Sequence, residues 1–285
     1  MSPLLRSKLG IVRLLLLRPS RHPNTSCSGL RGSASLGLPV GRPLVLGHRG
    51  ASADAPENTL AAFREAIRQG ADGVELDVQL CASGEVVVAH DETLERVSGE
   101  KLSVRATPFP RLREVDVGRR FSERFAGEKV PTLAEVLEAL PPTALVDVEL
   151  KCDAARDGGL TERTLEVLSR YPGRPIVVTS FNPACLLRAR LGAPALPLGA
   201  LWGEERWTRA RELAARAAGL AVVAPHHSLC GQERVARWHQ GGFAVASWTV
   251  DEPVEIERCL KSGVDVLISN RPGLAREVVE RWGRR

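Results

Sequence analysis

Two pairs of charged residues, each two positions apart, are the part of this sequence best suited to chemistry. Glu75 and Asp77 form one pair, and Glu149 and Lys151 form the other. Because side chains alternate between the faces of a β-strand, residues two apart point to the same side. Three carboxylates meeting there would repel one another unless a cation neutralised them. Mg²⁺ or Ca²⁺ fits, since both prefer oxygen ligands and no Cys or His pair accompanies these acids.

Two histidines, His48 and His90, follow apolar runs and could transfer protons. Imidazole titrates near neutral pH, as a general acid or base must. Arg49 and Lys151 add positive charge that suits a phosphate beside a divalent ion. On an ideal strand Arg49 would face away from His48, so we predict a turn there, which Gly50 permits. A purely structural interpretation stays open, with the acids as caps or salt-bridge partners and the histidines as hydrogen bonders.

Short apolar runs precede these residues and predict β-strands. The predicted strands are Leu44–Leu46, Gly73–Val78, Glu85–Ala89, Ala144–Leu150, Pro175–Thr179, Leu196–Leu201, Ala221–Ala224, Phe243–Trp248 and Val264–Ile268. Helical patterns fall between most of them: Thr132 and Glu135 predict a capping box, and Asp251 is a candidate helix cap. This alternation predicts a parallel sheet, either closed as a (β/α)8 barrel or open and doubly wound. In a barrel, the carboxyl ends of the strands form the active-site face.

Two irregularities interrupt the alternation. Only the seven residues Gln79–Glu85 separate Val78 from Val86, too few for a crossover helix, so the pair is a local hairpin or an extended segment lies between them. Nine strands for an eight-stranded barrel likewise place one outside the ring or count one wrongly. The charged, weakly periodic segment Asp91–Pro131 is predicted to be an insertion above the barrel mouth.

Length and charge limit the remaining possibilities. The 285 residues fit one barrel of about 250 residues, and no apolar run reaches the roughly 18 residues of a membrane span. The net charge of +5 comes from residues 1–43, which hold seven basic residues and no acid, so the rest of the chain has a net charge of −2. Nucleic-acid binding by residues 44–285 is therefore not expected.

Location is predicted from the cysteines and the basic tail. Six scattered cysteines without a paired motif predict reduced thiols and a cytoplasmic protein. The tail of residues 1–43 is interpreted as a disordered segment, as residues added by an upstream start codon, or as a mitochondrial transit peptide.

The ordered motifs of the chain resemble the glycerophosphodiester phosphodiesterase family from about Val45 to the C-terminus. The motifs are His48-Arg49-Gly50, Pro56-Glu57-Asn58-Thr59, Gly70-Ala71-Asp72-Gly73-Val74-Glu75-Leu76-Asp77-Val78, Val86-Val87-Val88-Ala89-His90-Asp91, Pro131-Thr132-Leu133, Glu149-Leu150-Lys151, Ser180-Phe181, Ser247-Trp248-Thr249-Val250 and Gly263-Val264-Asp265. Each motif alone is weak, but the ordered set is highly specific. The resemblance implies a single TIM barrel with a small inserted segment after the third strand.

The resemblance also implies roles for the residues. It implies a divalent metal ion, Mg²⁺ or Ca²⁺, held by Glu75, Asp77 and Glu149. It further implies that His48 and His90 form an acid/base pair, without assigning which is the base.

The same resemblance places further residues around the substrate. Arg49 and Lys151 would contact phosphate, and Phe181 and Trp248 would line the alcohol pocket. Glu57 would either contact the site or start the helix after Pro56.

The implied reaction is metal-dependent hydrolysis of glycerophosphodiesters, such as glycerophosphocholine and glycerophosphoethanolamine, to sn-glycerol 3-phosphate and an alcohol. The family commonly uses the neighbouring glycerol hydroxyl as the first nucleophile, which gives a cyclic phosphate. Three alternatives stay open. A lysophospholipase D would need an apolar entry built from the Asp91–Pro131 segment, a TIM-barrel lyase or aldolase could use the carboxylates, and a non-catalytic barrel could serve as a binding domain.

The sequence departs from the family pattern near its end. Ser269-Asn270-Arg271-Pro272 stands where the family often has Thr-Asp-Arg-Pro, and Asn270 can still form hydrogen bonds. His226 and His227 are predicted to lie at the barrel mouth, either as part of a polar rim or as a third functional histidine.

Overall fold

The computed structural model describes residues 42–152, 157–204 and 208–284, and every predicted strand is present within a few residues of its predicted ends. The strands are β1 (Leu44–His48), β2 (Gly73–Leu80), β3 (Val86–Val88), β4 (Leu145–Leu150), β5 (Ile176–Ser180), β6 (Leu198–Trp202), β7 (Val222–Pro225), β8 (Ala244–Ser247) and β9 (Val266–Ser269).

Eight of these strands close into a parallel barrel. Their order is β1-β9-β8-β7-β6-β5-β4-β2, and a pairing between β1 and β2 completes the ring. β3 pairs antiparallel with β2 and lies outside the ring, so of the two alternatives the local hairpin is correct. The prediction of a (β/α)8 barrel is therefore confirmed, and the open doubly wound alternative is wrong.

Helices surround the ring in the places where apolar residues recur at helical spacing. They are α1 (Leu60–Arg68), α2 (Glu95–Ser98), α3 (Phe109–Glu114), α4 (Leu133–Ala139), α5 (Leu160–Leu168), α6 (Pro183–Gly192), α7 (Arg209–Ala217), α8 (Gln232–Gln240), α9 (Pro253–Ser262) and α10 (Pro272–Gly283). Short 3-10 turns occupy Glu123–Phe125 and His227–Leu229.

The strands are buried on both faces, and their alternation decides which side chains reach the lumen. In β1, Leu44 and Leu46 belong to the apolar cluster inside the barrel, whereas Val45 packs in the cluster under the helices. In β4, Leu145 belongs to the inner cluster and Val146 to the outer one. Counting two residues at a time along each strand therefore leads from an apolar lumen to polar residues at its mouth.

The predicted helix caps have different outcomes. Thr132 and Glu135 form the predicted capping box at α4. The prediction that Asp251 caps a helix is wrong, because the N-cap of α9 is Glu252. The carboxylate of Asp251 instead accepts hydrogen bonds from Ser269 and from both nitrogens of Asn270.

The predicted insertion after the third strand is confirmed. The chain between β3 and α4 contains α2 and α3, and it has an apolar cluster of its own. This cluster, which includes Leu94, Val104, Leu112, Val117 and Val130, packs against Val87 and Ala89 of the hairpin. The insertion is thus anchored to the β3 hairpin by buried apolar contacts.

Residues 1–41 of the basic tail of residues 1–43 lie outside the described residues, so the interpretations of the tail stay predictions. In residues 42–152, 157–204 and 208–284 no helix is long and apolar enough to cross a membrane. Five of the six cysteines are described, and all five are free and buried.

Candidate active site

Three buried carboxylates, those of Glu75, Asp77 and Glu149, meet at the carboxyl ends of β2 and β4. The parallel register places Asp77 opposite Glu149, and one ligand oxygen from each acid lies within 4.8 Å of the others. Burial and repulsion by Asp77 and Glu149 raise the pKa of Glu75 well above its usual range. Burial and Asp77 raise the pKa of Glu149 to about 7. The three carboxylates therefore repel one another when ionised, and a bound cation would offset this repulsion.

Asp77 is the acid that its surroundings keep ionised. Burial alone would raise its pKa, but the nearby charges of Arg49 and Lys151 lower it. Its Oδ2 accepts a hydrogen bond from Asn58 Nδ2 at 2.9 Å. Its buried Oδ1 has no hydrogen bond among the described residues and lies 3.6 Å from Lys151 Nζ. A buried oxygen without a donor, beside two further carboxylates, suits a hard divalent cation. The three predicted ligands thus fit a metal ion.

The segment after β1 makes the predicted turn. Arg49 has a φ of 55° and Gly50 a φ of 87°, and a Cβ on Gly50 would lie 2.5 Å from the carbonyl carbon of Ala62. The turn directs the Arg49 backbone N–H to Glu75 Oε2 at 3.0 Å. It also places Arg49 Nη1 3.0 Å from Glu57 Oε1. Glu57 does not start the following helix.

Two basic side chains flank the acids, as predicted for a phosphate site. Arg49 Nε lies 3.3 Å from Asp77 Oδ2, and Lys151 Nζ lies 2.9 Å from Glu149 Oε1. Burial lowers the pKa of Lys151, but Glu149 and Asp77 outweigh it and raise that pKa. Both side chains therefore stay cationic beside the acidic cluster.

His48 ends β1 with its ring held by a neutral partner. Its Nδ1 lies 2.7 Å from Asn270 Oδ1, and the Nδ2 of that amide donates to Asp251 Oδ2 at 2.6 Å. Because the amide oxygen can only accept, Nδ1 carries the proton and Nε2 is left with the lone pair. Nε2 lies 3.9 Å from Glu75 Oε2. Burial and the Arg49 charge lower the pKa of His48.

His90 follows β3 and has a charged partner. Its Nδ1 lies 2.7 Å from Asp91 Oδ1, and Gln79 Nε2 holds this segment through the carbonyl oxygens of Ala89 and Asp91 at 3.0 and 2.6 Å. His90, Asp91 and Asn58 line one cavity, and the charge of His90 contributes to the lowered pKa of Asp77. The hairpin thus places His90 in the same cavity as Asn58, which donates to Asp77.

Aromatic side chains form the opposite rim. The rings of Phe181 and Trp248 meet edge to face with centroids 5.6 Å apart, and Trp248 Nε1 donates to Ala224 O at 2.7 Å. His226 contacts Trp248 with centroids 5.5 Å apart, whereas His227 pairs with Glu255. Both predicted alcohol-pocket residues therefore lie together at the mouth.

Two polar residues of the site were missed by the sequence analysis. Asn58 holds Asp77, and nothing in its spacing distinguishes it from a helix-start residue. Asp147 lies two residues before Glu149 in β4, so strand alternation could have placed it in the lumen. Burial raises the pKa of Asp147 to about 7, against a hydrogen bond from Thr179 Oγ1 at 2.7 Å.

Chemistry on phosphate esters is the class to which this barrel mouth points, because it combines an acidic cation site with flanking basic groups and two histidines. Comparison with known proteins settles the family. Residues 48–274 match the Glycerophosphoryl diester phosphodiesterase family, and the chain belongs to it. It is an enzyme, a glycerophosphodiester phosphodiesterase, so the lyase, aldolase and non-catalytic alternatives are excluded.

The relatives extend over nearly the whole barrel. A glycerophosphodiester phosphodiesterase of Caldanaerobacter subterraneus is 34% identical over 247 residues, covering 85% of this chain and all of the relative. A phosphodiesterase of Oleispira antarctica, solved in complex with the product sn-glycerol-3-phosphate, superposes with a TM-score of 0.77 at 28% identity and covers 84% of this chain and 97% of its own. The glycerophosphodiester phosphodiesterase of Thermotoga maritima gives a TM-score of 0.69 at 27% identity, covering 84% and 99%.

Proposed function

We propose that this enzyme hydrolyses small glycerophosphodiesters, such as glycerophosphocholine and glycerophosphoethanolamine, to sn-glycerol 3-phosphate and an alcohol, and that it depends on Mg²⁺ or Ca²⁺. The observation that carries the proposal is the convergence of three buried acids with a donor-free oxygen of Asp77. The product bound by the Oleispira antarctica relative supports the choice of substrate class.

Glu75, Asp77 and Glu149 would hold the metal ion. When bound, such an ion polarises a phosphoryl oxygen and offsets the negative charge that develops during displacement. The ordinary oxygen ligands of Mg²⁺ and Ca²⁺ match this set of three carboxylates.

Arg49 and Lys151 bind and orient the phosphate. Both side chains already lie against the acids, with Arg49 Nε 3.3 Å from Asp77 and Lys151 Nζ 2.9 Å from Glu149. With a guanidinium on one side of the acids and an ammonium on the other, the phosphate of an anionic diester is held in one orientation.

His48 accepts the proton of the attacking hydroxyl, and His90 protonates the oxygen of the departing alcohol. The neutral partner of His48 leaves Nε2 unprotonated, and burial lowers the pKa of His48, both of which suit a base. The carboxylate partner of His90 holds Nδ1 and orients the ring, which suits a proton donor. The glycerol hydroxyl next to the phosphate is the proposed first nucleophile; its attack on phosphorus expels the alcohol and leaves a cyclic phosphate. Water then opens that ring to give glycerol 3-phosphate, and Phe181 and Trp248 enclose the alcohol.

A lysophospholipase D activity is a second candidate because of one cavity. A space of about 230 Å³ separates the segment after β1 from the insertion and is lined in part by Val97, Val117 and Phe121. These apolar side chains could contact an acyl chain.

The test is release of glycerol 3-phosphate from glycerophosphocholine, with and without EDTA. We expect release that chelation abolishes and that added Mg²⁺ or Ca²⁺ restores. Unchanged release after exhaustive chelation would refute metal dependence. Choline release from lysophosphatidylcholine at a higher kcat/KM than from glycerophosphocholine would favour the second candidate.

A further inference from the structure

Arg96 lies on α2 of the insertion, and its guanidinium joins two carboxylates from distant parts of the chain. Nη1 and Nη2 lie 2.5 and 2.8 Å from the two oxygens of Glu57. Nε lies 2.6 Å from Asp91 Oδ2. A bidentate pair together with a third bond fixes the orientation of all three groups.

Each of these carboxylates also contacts a residue of the candidate active site. Asp91 Oδ1 lies 2.7 Å from His90 Nδ1, and Glu57 Oε1 lies 3.0 Å from Arg49 Nη1. Arg96 therefore stands at the centre of a continuous chain of contacts from His90 to Arg49. Its guanidinium already binds two protein carboxylates, so no substrate phosphate is required as its partner.

We propose that Arg96 is a positioning residue, which orients His90 through Asp91 and Arg49 through Glu57. The inference rests on the proposed function, because its readout is turnover of a glycerophosphodiester. On this proposal the insertion contributes to catalysis, because Arg96 holds Glu57 and Glu57 in turn orients Arg49.

The exposure of Arg96 separates this task from a role in folding. Its side chain is 49% exposed, and ion pairs at that exposure contribute little to global stability because solvent screens them. Loss of Arg96 should therefore reduce turnover far more than it reduces thermal stability.

Arg111 provides a matched control within the same insertion. Its side chain is 46% exposed and also pairs with two carboxylates, those of Glu100 and Glu114, at 2.8 and 3.0 Å. In the described part of the chain, neither of these acids contacts a candidate site residue. Arg111→Met thus removes a comparable surface network without touching the site.

The experiment compares Arg96→Met with Arg111→Met on glycerophosphocholine and on a nitrophenyl glycerophosphodiester. For Arg96→Met we expect kcat on glycerophosphocholine to fall about 10- to 100-fold, the usual cost of losing an outer partner of a functional group. Because a nitrophenolate departs without protonation, the loss on that substrate should be several-fold smaller, and the loss that remains reports the orientation of Arg49, which binds the phosphate of both substrates. Arg96→Lys should recover activity only in part, since an ammonium cannot bind Glu57 bidentately.

Each other outcome has a defined meaning. Wild-type enzyme without activity on either substrate would overturn the proposed function rather than this inference. Arg96→Met with nearly wild-type kcat, or an equal loss in Arg111→Met, would overturn the role of Arg96. Equal losses on the two substrates would overturn the proposal that Arg96 orients His90 through Asp91. Thermal unfolding of each variant identifies misfolding, and Arg96→Lys then supplies the comparison.

Discussion

The two histidines occupy opposite environments, although both are proposed to act in the same small site. His48 sits at the end of a barrel strand, is largely buried, and has the amide of Asn270 as its partner. His90 sits beyond the β3 hairpin, is more exposed, and has the carboxylate of Asp91 as its partner. Burial and the Arg49 charge lower the pKa of His48 and so favour its unprotonated ring, whereas the carboxylate of Asp91 orients the ring of His90. The difference teaches how one barrel mouth can hold both a base and an acid.

The largest loss of activity is expected from substitutions in the acidic cluster, on which the proposed roles of both histidines depend. Glu75→Gln or Asp77→Asn should reduce turnover to near background at ordinary metal concentrations. Each change removes one of the three ligands of the metal ion, and the proposed reaction depends on that ion. Removal of the metal should also lower the thermal midpoint, because the three acids then repel one another. Metal titrations followed by activity and by thermal unfolding check both effects. Full activity in either variant without added metal would contradict the assignment.

The histidine variants are next in size. His48→Ala and His90→Ala should each reduce kcat on glycerophosphocholine by about 10²–10⁴-fold, the usual contribution of a positioned acid or base. The double variant should lose less than the product of the two losses, because the groups act as a unit. Metal affinity, measured by calorimetry, should change little. A large loss of affinity in both variants would show that the histidines are ligands.

The buried carboxylates also predict that the folding stability of the metal-free protein depends on pH. Burial raises the pKa of Glu149 and of Asp147 to about 7, above their unfolded values. The folded state therefore binds more protons than the unfolded state between those values and pH 7, so stability falls as pH rises through this window.

Thermal unfolding from pH 5 to pH 8 measures this trend. Without metal the midpoint should fall as pH rises, and Asp147→Asn should weaken the fall by removing one of the buried acids with a raised pKa. Added Mg²⁺ should raise the midpoint most at pH 8, where the acids are ionised. A metal-free midpoint that rises with pH over this range would contradict the burial of these carboxylates.

The smallest effect is expected at the N-terminus. Deletion of residues 1–42 should leave kcat/KM on glycerophosphocholine close to the full-length value, since none of the candidate site residues lies in this segment. A large loss in a folded truncation would show that the tail assists catalysis. A fluorescent protein fused to this segment tests the transit-peptide interpretation by its location in a eukaryotic cell.

The barrel could be predicted because its strands are short apolar runs between polar ends. Alternation then placed Glu75 with Asp77, and Glu149 with Lys151, on the inward face. The turn at Gly50 followed from the opposite facing of His48 and Arg49. These are local properties that the sequence carries within a few residues.

The remaining features depend on contacts distant in sequence. Asp251 resembles a helix cap because it precedes Pro253, but the loop after β9 brings Asn270 to its carboxylate. Glu57 and Arg96 are 39 positions apart, and no spacing rule joins the segment after β1 to the insertion. Only the closed barrel and the packed insertion bring such partners together.

The central claim is that His48 is the base and His90 the acid, and leaving-group dependence tests it most directly. Single-turnover rates of His48→Ala and His90→Ala are measured on glycerophosphocholine and on a nitrophenyl glycerophosphodiester. The account predicts that the nitrophenyl substrate restores most of the rate of His90→Ala, because its leaving group needs no proton, and does not restore that of His48→Ala. Restoration of His48→Ala alone would reverse the assignment and contradict the account.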